Sequence, residues 1–366
     1  MKILKIVILS LILLNLPSIA RANYGLLLAS VLSYTTILLL VVYYIFEKKT
    51  SLNSWLISLA LSYFLISSLQ YYGSPNEFIF NALKYFIVII CGYELTKRVN
   101  KVQLFYFLII GALSIGIEAL FFPSKFGRYA GFYINANVAG FISIFGYSLT
   151  FGLKSPSIKL IGQFIFTLMG LLTFSRTFIV IWILLNLISL KINIKNIRVL
   201  GIGILIFGTL IFIDELVGLN NPRFQQLKAI VTNEKVSTAE INEGSRTETW
   251  AMFYDKILDA PIIGNGYGTF SGKLGYLGAH NTYLMIIGEA GILPFLIFLS
   301  LFAYLTYWSI YFFKLEPNLI MQTIALAMFL LANHNFFTFY FVTFCAMWIQ
   351  YQIEVQKKEL SNPSNI

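Results

Sequence analysis

YGLLLASVLSYTTILLLVVYYIF, residues 24–46, decides the fold: it holds no charged residue and stops on Glu47-Lys48-Lys49. A bilayer core takes about 20 apolar residues as one helix, and this run fills it. The rest of the chain repeats the theme. Of 366 residues 58% are hydrophobic and only 11% are charged, and mean hydropathy is +0.78. A soluble domain carries roughly 25% charged residues, so lipid must be the solvent here.

Outward from residues 24–46, hydropathy predicts about twelve spans: 3–20, 24–46, 55–72, 78–95, 102–122, 138–153, 159–174, 176–190, 198–214, 281–308, 317–333 and 336–352. The seventh and eighth almost touch at Ser175-Arg176, as a hairpin or one broken element. Residues 1–22 read as either a first span or a cleaved signal, because Lys2 and Lys5 precede the apolar run and Ala20-Arg21-Ala22 resembles a cleavage site. The fold class expected is an all-α polytopic bundle, with residues 1–366 as a single transmembrane domain.

The net charge of +10 points to membrane lipid rather than nucleic acid, because the bases sit in short clusters between apolar runs. Alternate loops hold Lys48 and Lys49, then Lys97, Arg98 and Lys101, then Lys154 and Lys159. Lys191, Lys195 and Arg198 follow, then Lys314, then Lys357 with Lys358. The opposite short loops hold only Arg21, Lys125, Arg128 and Arg176. The positive-inside rule then puts both termini in the cytoplasm and residues 215–280 outside. In that long loop Ser245 and Glu248 have capping-box spacing, and Trp250, Phe253, Tyr254 and Ile257 follow at helical spacing. Pro261, Gly264, Gly266 and Gly268 end the pattern, so an amphipathic helix on the outer surface is expected, followed by a glycine turn.

Polar residues gather on that outer side in four places. They are Gly127-Arg128 through Asn135-Ala136-Asn137, Ser175-Arg176, Arg246, and His280-Asn281-Thr282-Tyr283 with Glu289. Arginines at a membrane boundary bind phosphate oxygens through paired N–H donors, and a histidine beside them can take a proton from a hydroxyl. Each also has a plain reading. Arg176 can snorkel to headgroups, Arg128 and Arg246 can be solvated, His280 can anchor a helix start, and Asn135 and Asn137 can cap one. Glu289, inside an apolar run, is either functional or one half of a structural pair, and Glu118 raises the same question. His334 lies near the same face. The only histidines are His280 and His334, and no Cys/His set has zinc spacing. No metal site and no cofactor is expected. Gly268–Lys273 resembles a phosphate loop but is one residue short, with Leu274 where Ser or Thr is required.

These motifs, in this order, resemble the O-antigen polymerase and O-antigen ligase superfamily of bacterial envelope glycosyltransferases. The matching pieces are Gly131 through Asn137, Thr173-Phe174-Ser175-Arg176, and Arg246 with Trp250. Pro261, Gly264, Gly266, Gly268 and Phe270 come next, and then His280-Asn281-x-Tyr283-Leu284 with Glu289-x-Gly291. Ala136 departs from the proline often found there in the family.

The resemblance implies a lipid-linked-sugar glycosyltransferase fold in the inner membrane, with its site facing the periplasm. It implies a glycan on undecaprenyl diphosphate as donor, held by Arg128, Arg176 and Arg246. His280 would be the base or the group orienting the acceptor hydroxyl, with Asn281, Tyr283, Glu289, Asn137 and His334 as orienting or acceptor-side residues. It implies metal-independent transfer, since arginines can stabilise a diphosphate leaving group. A chain-length regulator and a flippase of the same pathway would be partners. A polymerase extends the glycan onto the next lipid-linked repeat unit, and a ligase moves it to the lipid A core. A flippase or transporter of lipid-linked sugar is the competing class, but its site would lie near the bilayer midplane.

Overall fold

A computed structural model describes residues 1–122, 127–217, 246–275 and 277–361, and every regular element among them is helical. The helices are α1 (Lys2–Leu13), α2 (Leu16–Tyr24), α3 (Leu26–Phe46), α4 (Ser54–Ser68), α5 (Pro75–Lys97), α6 (Lys101–Phe121), α7 (Ala136–Thr150) and α8 (Pro156–Leu172). Then come α9 (Arg176–Leu190), α10 (Ile197–Val217), α11 (Arg246–Asp259), α12 (Thr282–Ala290), α13 (Ile292–Tyr311), α14 (Pro317–Leu330) and α15 (Tyr340–Ser361).

The polytopic helical reading holds. Among the described residues α3, α5, α6 and α13 are each long and apolar enough to cross a bilayer, and α1 with α2 makes a fifth if the bent pair is one span. Leu27 of α3 is 82% exposed and Leu38 61%, the surface a lipid-facing helix must show. Conversely, Val138 through Thr150 of α7 are all buried, so α7 is packed on every side. Helices α4, α7, α8, α9 and α14 hold 14 to 17 residues. At 1.5 Å per residue that is about 21–26 Å, short of the roughly 30 Å hydrocarbon core.

Three span boundaries differ from expectation. The first span bends by 58° between α1 and α2, because Asn15 takes φ 53° and Pro17 sits in the first turn of α2. The tenth span, expected at 281–308, is two helices broken at Gly291 (φ 74°). A Cβ there would stand 2.0 Å from the Ile262 carbonyl oxygen, so the chain crossing over it requires glycine. The last helix starts at Tyr340 rather than 336, after an irregular segment 331–339. The short seventh and eighth spans are a true hairpin, α8 and α9 joined by Thr173–Ser175.

The basic loops meet at one end of the bundle. The Lys5 ammonium donates to the Arg98 carbonyl (3.0 Å), Arg98 pairs with Glu47 (3.8 Å), and Lys101 pairs with Glu316 (2.5 Å). The amphipathic helix is α11. Phe253 is buried against Phe270, their ring centroids 4.9 Å apart, while Met252 and Leu258 are exposed, as for a helix lying in an interface. Its expected cap, Ser245, and residues 218–245 of the long loop lie outside the described residues, as does Lys125.

Candidate functional site

Among the helices that begin at the end opposite the basic loops, α7, α9 and α12 begin the same way. A residue with left-handed backbone precedes an Asn or Ser that caps the helix: Ile134 (φ 62°), Phe174 (φ 49°) and His280 (φ 48°). Non-glycine residues avoid this region, and holding one there costs about 1–3 kcal/mol. The following cap offsets part of that cost. Asn135 accepts from the Asn137 N–H (2.9 Å) at the start of α7. Ser175 accepts from the Phe178 N–H (3.3 Å) in α9, and Asn281 accepts from Tyr283 N–H (2.9 Å) and Leu284 N–H (3.2 Å) in α12. The positive ends of three helix dipoles therefore share one end of the bundle.

The first two turns are locked together. The Asn137 side-chain Oδ1 accepts from the Arg128 guanidinium (3.1 Å) and from the Ser175 hydroxyl (2.9 Å). Arg128 also reaches the Thr173 carbonyl (3.5 Å). Asn137 thus bridges α7, α9 and the arginine, while Asn135 does the capping. Glu118, at the end of α6, accepts from the Ala130 and Gly131 N–H groups (2.6 Å each), which fixes the turn carrying Arg128. Arg176, the first residue of α9, is exposed beside this cluster.

The third turn lies on the other side of the α14 terminus. Phe329, in the last turn of α14, stacks on Phe141 of α7 (4.3 Å). Two residues earlier, Ala327 accepts from the Tyr283 hydroxyl (3.2 Å). Just beyond α14, the His280 N–H donates to Nδ1 of His334 (3.1 Å), with ring centroids 4.9 Å apart. The Thr282 hydroxyl donates to the Asn333 carbonyl (2.6 Å). Burial, with His280 and Lys273 nearby, pulls His334 down to about 4, against a backbone hydrogen bond with Ser271. It is neutral at pH 7, and since Nδ1 accepts, its proton is on Nε2. His280 is exposed. Of the two rings, His334 holds and His280 presents.

Other expected site residues are placed differently. Glu289 is fully buried; it accepts from the Tyr63 hydroxyl and from the Phe270 (2.9 Å) and Ser271 (2.7 Å) N–H groups. It staples the glycine turn to α12. Tyr283 is spent on packing and on Ala327, and Asn281 on its cap. The backbone of Arg246 opens α11, as expected, but its side chain lies outside what the structure describes.

Lys273 escaped the sequence reading, because it went with the rejected phosphate-loop fragment. Its ammonium meets the Tyr267 hydroxyl and lines a cavity of about 410 Å³. Lys273 is solvent-exposed through the cavity, with protein atoms crowding its ammonium. Burial lowers it to about 8, offset in part by Glu289 and Glu77. The signal that could have found it is its position, the single cation between Lys256 and the tenth span.

Residues 161–299 match the family model for O-antigen ligase. No curated protein matches the chain. The matched segment takes in Arg176, the glycine turn, His280 and Glu289, and it ends within α13. It bears out the likeness to the O-antigen ligase and polymerase superfamily, whose members are glycosyltransferase-like enzymes acting on lipid-linked glycans in membranes.

Proposed function

We propose that this protein is a polymerase of O-antigen or a similar surface polysaccharide, joining repeat units carried on undecaprenyl diphosphate. The observation that carries the reading is the shared end of the bundle. Helix N-termini, Arg128 and Arg176 stand on one side of the α14 terminus, and an exposed histidine seated by a neutral one stands on the other. A diphosphate fits the first group, because guanidinium and helix N-termini both bind phosphate oxygens. A hydroxyl nucleophile fits the second. His280 takes or orients the acceptor hydroxyl proton, and the oxygen attacks the anomeric carbon. The bond from that carbon to the diphosphate breaks, and the arginines stabilise the charge on the departing lipid diphosphate. Attack opposite the leaving group inverts the configuration.

On this reading the basic end is cytoplasmic. The protein then lies in the bacterial inner membrane with both termini in the cytoplasm, and the arginine–histidine end faces the periplasm. Residues 1–366 act as one transmembrane domain, with 215–280 as its periplasmic loop. A chain-length regulator and a flippase of the pathway would be its partners. The match to a family described as O-antigen ligase favours a second reading, transfer of the glycan to lipid A core, which keeps the same donor chemistry and changes the acceptor.

Substituting His280 tests both. His280→Ala and His280→Gln should insert normally and lower transfer about a hundred- to ten-thousand-fold, the usual worth of general base catalysis. Surface polysaccharide on a gel would shrink to a single repeat unit for a polymerase. For a ligase it would leave the core, and lipid-linked polymer would accumulate. A normal ladder from His280→Ala removes the catalytic role.

A further inference from the structure

The bend at Asn15 opens the cavity of about 410 Å³, within the roughly 300–1,000 Å³ of small-ligand sites. Its three cations come from separate parts of the fold: Arg21 from α2, Lys84 from α5 and Lys273 from the glycine turn. Among the described residues no carboxylate lines it. Lys84 is held over the ring of Tyr34 (4.3 Å), and Lys273 against Tyr267. The acids acting on Lys273 are Glu289 and Glu77, and Glu289 is committed to Tyr63 and the two backbone N–H groups.

Between the cations the wall is polar but uncharged: Asn15, Ser18, Ser30, Ser33, Asn335 and Thr338. Asn15 takes the Ser18 hydroxyl (2.8 Å) and Asn335 the Thr338 hydroxyl (3.1 Å), and the remaining amide N–H and hydroxyl lone-pair sites suit a ligand rich in hydroxyl groups. Phe339 and Phe341, stacked at 5.2 Å, add an apolar wall. The cavity also adjoins the histidine pair. Ser271, which shares a backbone hydrogen bond with His334, and Asn335, the next residue along, both line it.

We propose that this cavity seats an acidic sugar, one bearing a carboxylate or phosphate, of the acceptor glycan, beside the histidine that activates the acceptor hydroxyl. The assignment to the acceptor rests on the transferase reading above. The arginine cluster and helix N-termini of α7 and α9 are left to the lipid diphosphate of the donor. An anion in the cavity would also offset the burial that lowers Lys273.

The test uses the full chain in neutral-headgroup detergent, with its thermal midpoint followed against three probes. They are a disaccharide containing one glucuronate, the methyl ester of that disaccharide, and inorganic pyrophosphate. The acid should half-saturate at a concentration about tenfold below the ester, the worth of one charge-assisted contact. Lys273→Met should abolish that preference. Lys84→Gln should reduce it and serves as the second variant if Lys273→Met fails to fold. Equal response to acid and ester overturns the proposal. So does pyrophosphate binding as tightly as the acid through Lys273, which would make the cavity a general phosphate site. So does loss of the acid preference when anionic phospholipid is added at low mole fraction, which would make a lipid headgroup its occupant. Binding of the disaccharide should survive His280→Ala. If the parent chain supports no glycan transfer yet the acid still binds, the transferase reading fails alone; if transfer occurs and no acid preference exists, this inference fails alone.

Discussion

The two ends of the bundle spend their carboxylates differently. At the basic end acids meet cations: Glu94 with Lys97 (2.8 Å), while also accepting from the Thr50 N–H (3.1 Å), Glu47 with Arg98 and Glu316 with Lys101. At the opposite end the two inward acids meet main chain. Glu118 takes two N–H groups of the 130–131 turn and Glu289 takes two of the glycine turn. An acid that binds backbone N–H groups shapes a loop. One that binds a cation cancels a charge. The first end is closed in the sense that its acids are paired with cations, although excess positive charge remains in its loops; the second keeps positive charge beside ordered loops.

The strongest way to break this comparison is to remove a guanidinium at the open end. Arg176→Ala and Arg128→Ala should each lower glycan transfer about a hundredfold, the scale of one lost transition-state donor, at normal protein level. Arg176→Lys should recover part of it, since an ammonium supplies charge without the bidentate fork. Arg128→Lys should recover less, because Arg128 also ties Asn137 to Thr173. Full transfer by both alanine variants, measured as ladder length in intact cells, would leave the diphosphate site without support.

Next in size is the acid that shapes a loop. Glu289→Gln keeps the volume but replaces charge-assisted bonds with neutral ones, each about half as strong. Insertion should persist, with lower thermal stability in detergent and a disordered glycine turn read as faster proteolysis between residues 260 and 280. Unchanged proteolysis would show that Glu289 does not staple that turn.

How much of this the sequence could tell follows the range of the interaction. Apolar runs and basic loops are local patterns, and they carried the bundle and the common end of the basic loops. Motif order carried the family likeness. Asn135, Ser175 and Asn281 are local cap residues, legible as such. The bend at Asn15, the break at Gly291 under Ile262 and the pairing of His280 with His334 depend on segments that meet only in the folded chain. Glu289 read as either functional or half of a structural pair because an acid in an apolar run is costly, and the structure offsets that cost with N–H groups from the loop that packs on it.

His334 offers a smaller test at the open end. Its depressed value, about 4 against an ordinary 6.5, means that folding favours the neutral ring. That stability is whole above 6.5 and is lost as pH falls from 6.5 towards 4. His334→Gln keeps an acceptor for the His280 N–H and cannot titrate. It should lower transfer about tenfold, the rate equivalent of one imperfect hydrogen bond, and flatten the acid-side fall in thermal midpoint. A fall as steep as in the parent protein would mean that other groups set the acid limit.

The smallest effect belongs to the closed end. Lys101 and Glu316 are linked at 2.5 Å, with side chains 24% and 21% exposed. Water still reaches both, so the pair is worth about 1 kcal/mol or less. Lys101→Ala, Glu316→Ala and the double variant form a cycle that isolates the coupling. It should amount to no more than that in reversible unfolding of the detergent-solubilised chain, and transfer should stay at the parental rate in all three. The orientation should hold too, because Lys97 and Arg98 keep the same loop basic. If Lys101→Ala instead reduced transfer as much as Arg176→Ala, charge at the two ends would be coupled through the bundle. The division between a closed end that anchors and an open end that reacts would then be wrong.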